Sequence, residues 1–351
     1  MCKQRNHPGI LLLILLLFLG GCVDRQIHDY RKSFTDGRYD SEFPYRNSST
    51  QLEQISKSVK KIFCMTDYRM YNLPAEKKLL PADLKSITRE ELLKLSKGIT
   101  NTFESKTGTA TIINNDEKSI ALITCAHLTE APDTIYTYFD DNDPGTQDYL
   151  FSIAIKFKQQ ILFTGYEEGQ DLQILAMDKE KDLALLGKHT NRYNPEIQPF
   201  PYPLGSSENL EWGTFVYLMG YPLGYPMITR GIVSPGRDDY FLVDASFNEG
   251  FSGGIVLAIK DGIPNFELVG IGKSASATFE NIVVPEKESH EMVYNPEVPY
   301  QEDLYVKNRK VVNYGITKAI SSKAIREFYQ ENKESLESRE YYLSTFFGEV
   351  R

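Results

Sequence analysis

Apolar residues fall in short runs along most of this chain, broken by clusters of Gly, Pro, Asn and Asp. Runs of about four to eight residues, rich in β-branched and aromatic side chains and bounded by turn formers, are strands. The pattern predicts a first strand over 58–71, carried by Val59, Ile62, Phe63, Cys64 and Met65. A hairpin follows over 107–113 and 119–124, turning at Asn114-Asn115-Asp116-Glu117-Lys118. Further strands are predicted over 134–139, 150–157, 160–166, 172–177, 181–186, 212–220, 227–233, 240–244, 255–259, 266–271 and 311–316. Helical signals are confined to two places. Thr88-Arg89-Glu90-Glu91 is a capping box ahead of Leu92, Leu93 and Leu95, with Gly98 as its stop. Ser321 or Ser322 caps a second helix that puts Ile325, Phe328 and Tyr329 on one face, and the tail to Arg351 reads as helical and partly docked. Residues 274 to about 308 lose the pattern and read as one long loop, the kind that is functional or disordered. Many short strands with little helix predict an all-β barrel or sandwich.

The N-terminus departs from this rhythm. Lys3 and Arg5 precede a wholly apolar run over 10–19, too short to span a bilayer comfortably, which is the layout of a secretory signal peptide. It ends in Leu19-Gly20-Gly21-Cys22, which resembles a bacterial lipobox and implies lipidation at Cys22; the alternative is an ordinary signal peptide with an incidental cysteine. The expected organisation is a signal over 1–21, a polar tether over 22–50 in which Phe43-Pro44-Tyr45 could dock, a folded domain over 51–335 and a tail over 336–351. Lipidation implies a membrane anchor in the bacterial cell envelope. With Val23 rather than Asp after Cys22, the sorting rule of such lipoproteins in a Gram-negative host implies the outer membrane or periplasmic face.

Composition narrows the class of function. The 351 residues are 41% hydrophobic and 25% charged, ordinary for a globular protein. The formal net charge is −9 and no block of Lys and Arg stands out, which argues against nucleic acid as a partner. With neither a metal-ligand cluster nor a phosphate loop, no metal and no cofactor is expected. Cys64 and Cys125 remain after Cys2 and Cys22 are set aside, and they read as buried small hydrophobes whose pairing stays open.

The candidate chemistry lies in Gly250-Phe251-Ser252-Gly253-Gly254. Glycines around a serine let the backbone approach a carbonyl closely, and the N–H groups of Gly250 and Ser252 could face a developing oxyanion. Alone this turn is a weak signal. A serine nucleophile also needs a base and a carboxylate that orients it. Past the signal, the histidines are His28 in the tether, His189 at an exposed strand end, His290 in the long loop, and His127 directly after a buried run. His127 is the one a scaffold could fix, although an isolated histidine there is more often structural. Asp182 is the preferred carboxylate because it precedes the apolar run Leu183-Ala184-Leu185-Leu186; Asp178 and Asp171 are the alternatives.

With these residues in place the chain is similar to trypsin-like serine proteases of the HtrA (Deg-type) branch. Thr124-Cys125-Ala126-His127 resembles the family's Thr-Ala-Ala-His, and Asp182-Leu183-Ala184-Leu185-Leu186 matches Asp-Leu-Ala-Leu-Leu. Gly220-Tyr221-Pro222-Leu223-Gly224, Gly231-Ile232-Val233-Ser234, the stretch from Asp244 to Gly254 and Asn313-Tyr314-Gly315-Ile316 follow in the family's order. The resemblance runs from about 57 to 332. It implies two six-stranded β-barrels with His127 as general base, Asp182 as its orienter, Ser252 as nucleophile, and the backbone of Gly250 and Ser252 as oxyanion hole. It places Ser246 at the base of the specificity pocket, with Gly270, Ile271, Gly272 and Gly315 around it, and so implies small or medium apolar side chains rather than Lys or Arg. Polypeptide substrates, including misfolded exported proteins, are the implied partners, and homo-oligomers occur in the family.

Two departures stand out. Phe251 occupies the position where the family has Asn or Asp, so the oxyanion loop must be ordered by packing. The segment 274–312 replaces a short connection beside the specificity pocket and is a candidate gate or recognition element; no stretch resembles a PDZ domain. The leading reading is a membrane-anchored serine endopeptidase. The alternative is an inactive lipoprotein of the same fold that serves as a binding or scaffold module.

Overall fold

The computed structural model describes residues 35–44, 46–84, 87–139, 148–165, 171–285, 297 and 304–348. The signal segment, Cys22, His28 and His290 lie outside the described residues. Strands β1 (Val59–Asn72), β2 (Gly98–Asn115), β3 (Ser119–Thr124), β4 (Thr134–Tyr138), β5 (Leu150–Phe163), β6 (Gln173–Asp178) and β7 (Leu183–His189) form a seven-stranded sheet in the order β4-β5-β1-β2-β3-β7-β6. Strands β8 (Phe215–Gly220), β9 (Met227–Arg237), β10 (Tyr240–Val243), β11 (Ile255–Ile259), β12 (Phe266–Pro285) and β13 (Leu304–Ser321) close into a barrel. The expected two-barrel architecture is therefore present, with its first half built as a seven-stranded sheet rather than six strands.

Burial explains the strand identities. β3 and β11 are buried at every position, which is why both read as unbroken apolar runs. Leu122, Leu185, Ile255 and Leu257 join one core with Ala324, Ile325 and Phe328. Those last three come from the helix Ser322–Ser338, capped by the Ser321 hydroxyl accepting from Ala324 N–H. The tail docks as expected: Tyr329 and Phe347 stack with centroids 3.9 Å apart. The capping box is also formed, with Thr88 and Glu91 bonding reciprocally at the start of the helix Arg89–Leu95. Both Cys64 and Cys125 are buried free thiols. No helix among the described residues is long and apolar enough to cross a membrane.

The predicted long loop is corrected. β12 and β13 pair from Gly270↔Ser321 out to Pro285↔Leu304, with register shifts between Gly272 and Ser274 and between Ala275 and Ser276, so the segment leaves the barrel as a two-stranded ribbon. Phe279, Val283 and Val306 are exposed on it, and strand-forming residues set among Asn, Glu and Lys hide the alternation from a reading of hydrophobic runs. The predicted strands 150–157 and 160–166 are one strand, β5, which follows β1 across a bulge at Asp67/Tyr68.

Part of the stretch assigned to the tether lies against the barrel. Tyr39 is buried, pairs with Lys260, and donates its hydroxyl to Glu267 at 2.5 Å. Asp40 N–H donates to Ile259, and Asp40 C=O accepts from Phe215 N–H. Burial pushes the half-buried Asp40 carboxyl up to about 6, helped by the charges of Asp261, Asp36 and Glu42 and opposed by a hydrogen bond from Gly262. A carboxyl raised on folding binds its proton more tightly in the folded chain, so its contribution to stability falls as pH rises from the unfolded value through about 6. Asp40→Asn should melt with the wild type at pH 4 and above it at pH 7.5. With the discount for partial exposure the gain is about 1 kcal/mol. Thermal melts across that range check it, and an offset that does not grow with pH rules the account out.

Candidate active site

β3 runs straight into a single helical turn, Ala126–Thr129, with Cys125 as its N-cap. That residue's side chain makes no capping bond, and Asp182 serves the exposed N–H groups instead. Asp182 C=O accepts from Ala126 N–H at 3.1 Å, and Asp182 Oδ1 accepts from His127 N–H at 2.9 Å. To do both, Asp182 sits just ahead of β7 at φ +62°, a left-handed conformation that Asp tolerates better than most side chains. The same carboxylate meets the imidazole. His127 Nδ1 lies 3.1 Å from Oδ1 and 2.9 Å from Oδ2. Burial pushes the Asp182 carboxyl up, but the hydrogen bonds from His127 and the charges of His127 and Lys273 outweigh it and hold it below the usual carboxylate range. Asp178 and Asp171 are committed elsewhere, Asp178 to the N–H groups of Glu180 and Lys181 and Asp171 to Gln160.

Ser252 comes from the barrel side, just before β11, and lines one cleft of about 760 Å³ together with His127 and Asp182. Its turn is pinned from several directions. Gly250 has φ +93°, and a Cβ there would lie 2.5 Å from the Tyr221 carbonyl oxygen, so only glycine fits. Thr109, on β2, donates its hydroxyl to Gly250 C=O at 2.8 Å and its N–H to Ser252 C=O at 2.8 Å. Thr109 Oγ1 also accepts from Tyr221 N–H at 2.9 Å. Gly253 N–H donates to Gly272 C=O. Phe251 is buried and stacks on Phe247 with centroids 5.4 Å apart, the packing that its position demands.

Glu249 C=O accepts from Leu223 N–H at 2.8 Å. In a trans peptide the N–H points opposite to the C=O, so Gly250 N–H is turned away from the 221–223 bend. Among the described residues neither Gly250 N–H nor Ser252 N–H has a hydrogen-bond partner. The Ser252 hydroxyl donates to Lys273 C=O at 3.0 Å, and among the described residues no hydrogen bond joins it to His127.

The remaining assignments are distributed differently. Ser246 is exposed at the start of the turn, and neither it nor Gly270, Ile271, Gly272 or Gly315 lines the cleft. Gly270 and Gly272 instead make room for the rings of Phe241 and Phe247. Lys106, Lys273, Ser274, Ala275 and Lys310 form the walls, and nothing in the spacing of these residues marks them in advance. Cys125, His127 and Asp182 present donor atoms within 4.8 Å of one another. Burial pushes the Cys125 thiol well up, and it donates to Gly272 C=O at 3.4 Å, while the Asp182 carboxylate is engaged by His127 and Lys273.

Comparison with known proteins bears on this arrangement. Residues 108–271 match the family described as trypsin-like peptidase domain. No curated protein sequence matches the chain. Among solved structures it is similar to a variant of the HtrA-type protease AlgW with a decapeptide, at 18% identity and a TM-score of 0.44, covering 82% of this chain and 67% of that one. It is also similar to AlgW with a tripeptide, at 17% identity and a TM-score of 0.40, covering 84% of this chain and 65% of that one. The chain thus spans about two thirds of the length of those proteases. The matched segment contains His127, Asp182 and Ser252, so over residues 108–271 the chain is similar to a trypsin-like peptidase domain.

Proposed function

We propose that the protein is an endopeptidase that cleaves polypeptides through an acyl-enzyme on Ser252. The observation that carries this is the His127–Asp182 pair in the same cleft as a serine on a pinned glycine turn. Asp182 accepts a hydrogen bond from His127 Nδ1–H, which keeps that proton on Nδ1 and leaves the Nε2 lone pair to accept the proton of Ser252. As Oγ bonds to the scissile carbonyl carbon, charge moves to the carbonyl oxygen, and Gly250 N–H and Ser252 N–H are the donors for it. The imidazolium then gives its proton to the leaving amine as the C–N bond breaks. Water repeats the sequence on the ester, returning the proton to Ser252. A lipid on Cys22 would hold this domain at the bacterial envelope, with exported or misfolded polypeptides as substrates and a homo-oligomer as one assembly.

The second reading is an inactive binding module, favoured by one observation: the Ser252 hydroxyl is engaged by Lys273 C=O and not by His127. Labelling with a fluorophosphonate probe separates the two. Wild type should label and Ser252→Ala should not; an unlabelled wild type at every pH tested supports the inactive module.

A further inference from the structure

β12 and β13 change register between Gly272 and Ser274, so Lys273 is the extra residue of a β-bulge. A bulge re-aims the residue it contains. Here it turns both ends of Lys273 toward the reacting groups. The C=O accepts from the Ser252 hydroxyl at 3.0 Å, and the ammonium lies 3.5 Å from Asp182 Oδ2. That oxygen is the one 2.9 Å from His127 Nδ1, so one carboxylate oxygen serves two cationic partners. Lys273 is largely shielded, with 26% of its side chain exposed, and Asp182 is buried at 8%, so solvent screens this trio poorly.

We propose that Lys273 is a positioning residue for the Asp182–His127 pair, and that its ammonium extends acylation of Ser252 into mildly acidic solution. The inference rests on the reading of His127 as the base. Asp182 stabilises the imidazolium form of His127, whereas a fixed ammonium beside Asp182 opposes it. Removing the ammonium should therefore favour the imidazolium and confine the base to less acidic solution. The other groups facing the pair do not substitute for this charge. Lys106 on β2 spends its ammonium on the C=O of His127 and Glu130, and the Cys125 thiol stays protonated. Glu130 pairs with Lys179 at 2.6 Å. Glu249 and Lys310 line the same cleft with opposite charges, Lys310 from β13.

The experiment compares Lys273→Met, which keeps the apolar stem and removes the charge, with Lys273→Arg, which keeps the charge. Two readouts are followed from pH 4.5 to 9 on the full chain: the rate of fluorophosphonate labelling, and the ring-proton titration of His127 by NMR, assigned with His127→Asn. Lys273→Met should move the acid limb and the ring titration together toward higher pH, by on the order of one pH unit. That slows labelling about tenfold on the limb and spares the rate at pH 9. Lys273→Arg should follow the wild type. A Lys273→Met titration that overlays the wild type overturns the proposal, as does one shared equally by Lys273→Arg. The NMR readout needs no turnover, so a protein that never labels refutes the peptidase reading while the ring titration still decides on Lys273. Lys273→Gln repeats the charge removal with a polar side chain if the Met variant does not fold.

Discussion

Asp182→Asn should lower kcat/KM for a fluorogenic peptide by about 10⁴-fold near neutral pH while the fold stays intact. Asn keeps an oxygen where Oδ1 accepts from His127 N–H, and the backbone C=O still takes Ala126 N–H. Asn also tolerates the left-handed backbone at φ +62° as readily as Asp does. What changes is the other atom. An amide nitrogen in place of Oδ2 is a donor facing Nδ1, so the ring can satisfy it only by moving its proton to Nε2. The nitrogen that must accept the Ser252 proton is then already protonated. The loss should shrink at high pH, where more of Ser252 can react without the base, and the melting temperature should move little. A loss below tenfold at pH 7 would show that Asp182 does not set the His127 tautomer. A large fall in melting temperature with the loss would show that its bonds to the helical turn matter more than its charge.

How much of this site is legible in the sequence follows from where each residue sits. His127, Asp182 and Ser252 each adjoin an apolar strand that is buried along most or all of its length, β3, β7 or β11, and such strands print their ends plainly in the sequence. The order of those ends, with the motifs between them, carries the fold and the candidate triad together. Lys273 has no such mark. It enters the site because one extra residue in β12 redirects it, and a bulge is a property of the pairing with β13, some forty positions later in the chain. Thr109 is hidden in a similar way. It reads as one polar position in a strand, yet its N–H and hydroxyl tie Gly250 and Ser252 to the first sheet. The ribbon of residues 274–285 and 304–312 escapes the hydrophobic pattern because its strands pair only with each other beyond the barrel, so burial imposes no alternation on them. Tyr39 and Asp40 read as tether because two residues docking on a barrel edge leave no periodicity at all.

Phe251→Ala should destabilise the protein by about 3–5 kcal/mol and abolish labelling of Ser252 without touching the three proposed catalytic side chains. Phe251 is 2% exposed, and the chain clears space for it with glycines: a Cβ on Gly220 would lie 2.8 Å from its ring, and one on Gly254 would lie 3.2 Å away. The stack on Phe247 adds an aromatic contact beyond simple burial. Those contacts set the direction of the residue between Gly250 and Ser252, the two whose N–H groups are proposed to hold the oxyanion. The hydrogen bonds from Thr109 and Leu223 fix carbonyl groups on either side, but each net bond contributes only about 1 kcal/mol. The buried ring therefore holds the turn more strongly than any one of these bonds. Without it Gly250, free to adopt either sign of φ, can turn its N–H out of the cleft. Phe251→Leu should recover much of the stability and part of the labelling, since it refills most of the volume without the stack. Urea denaturation and labelling of both variants check this together. If Phe251→Ala loses stability yet labels at the wild-type rate, the backbone bonds alone order the turn, and Phe251 is a core residue that happens to neighbour the nucleophile.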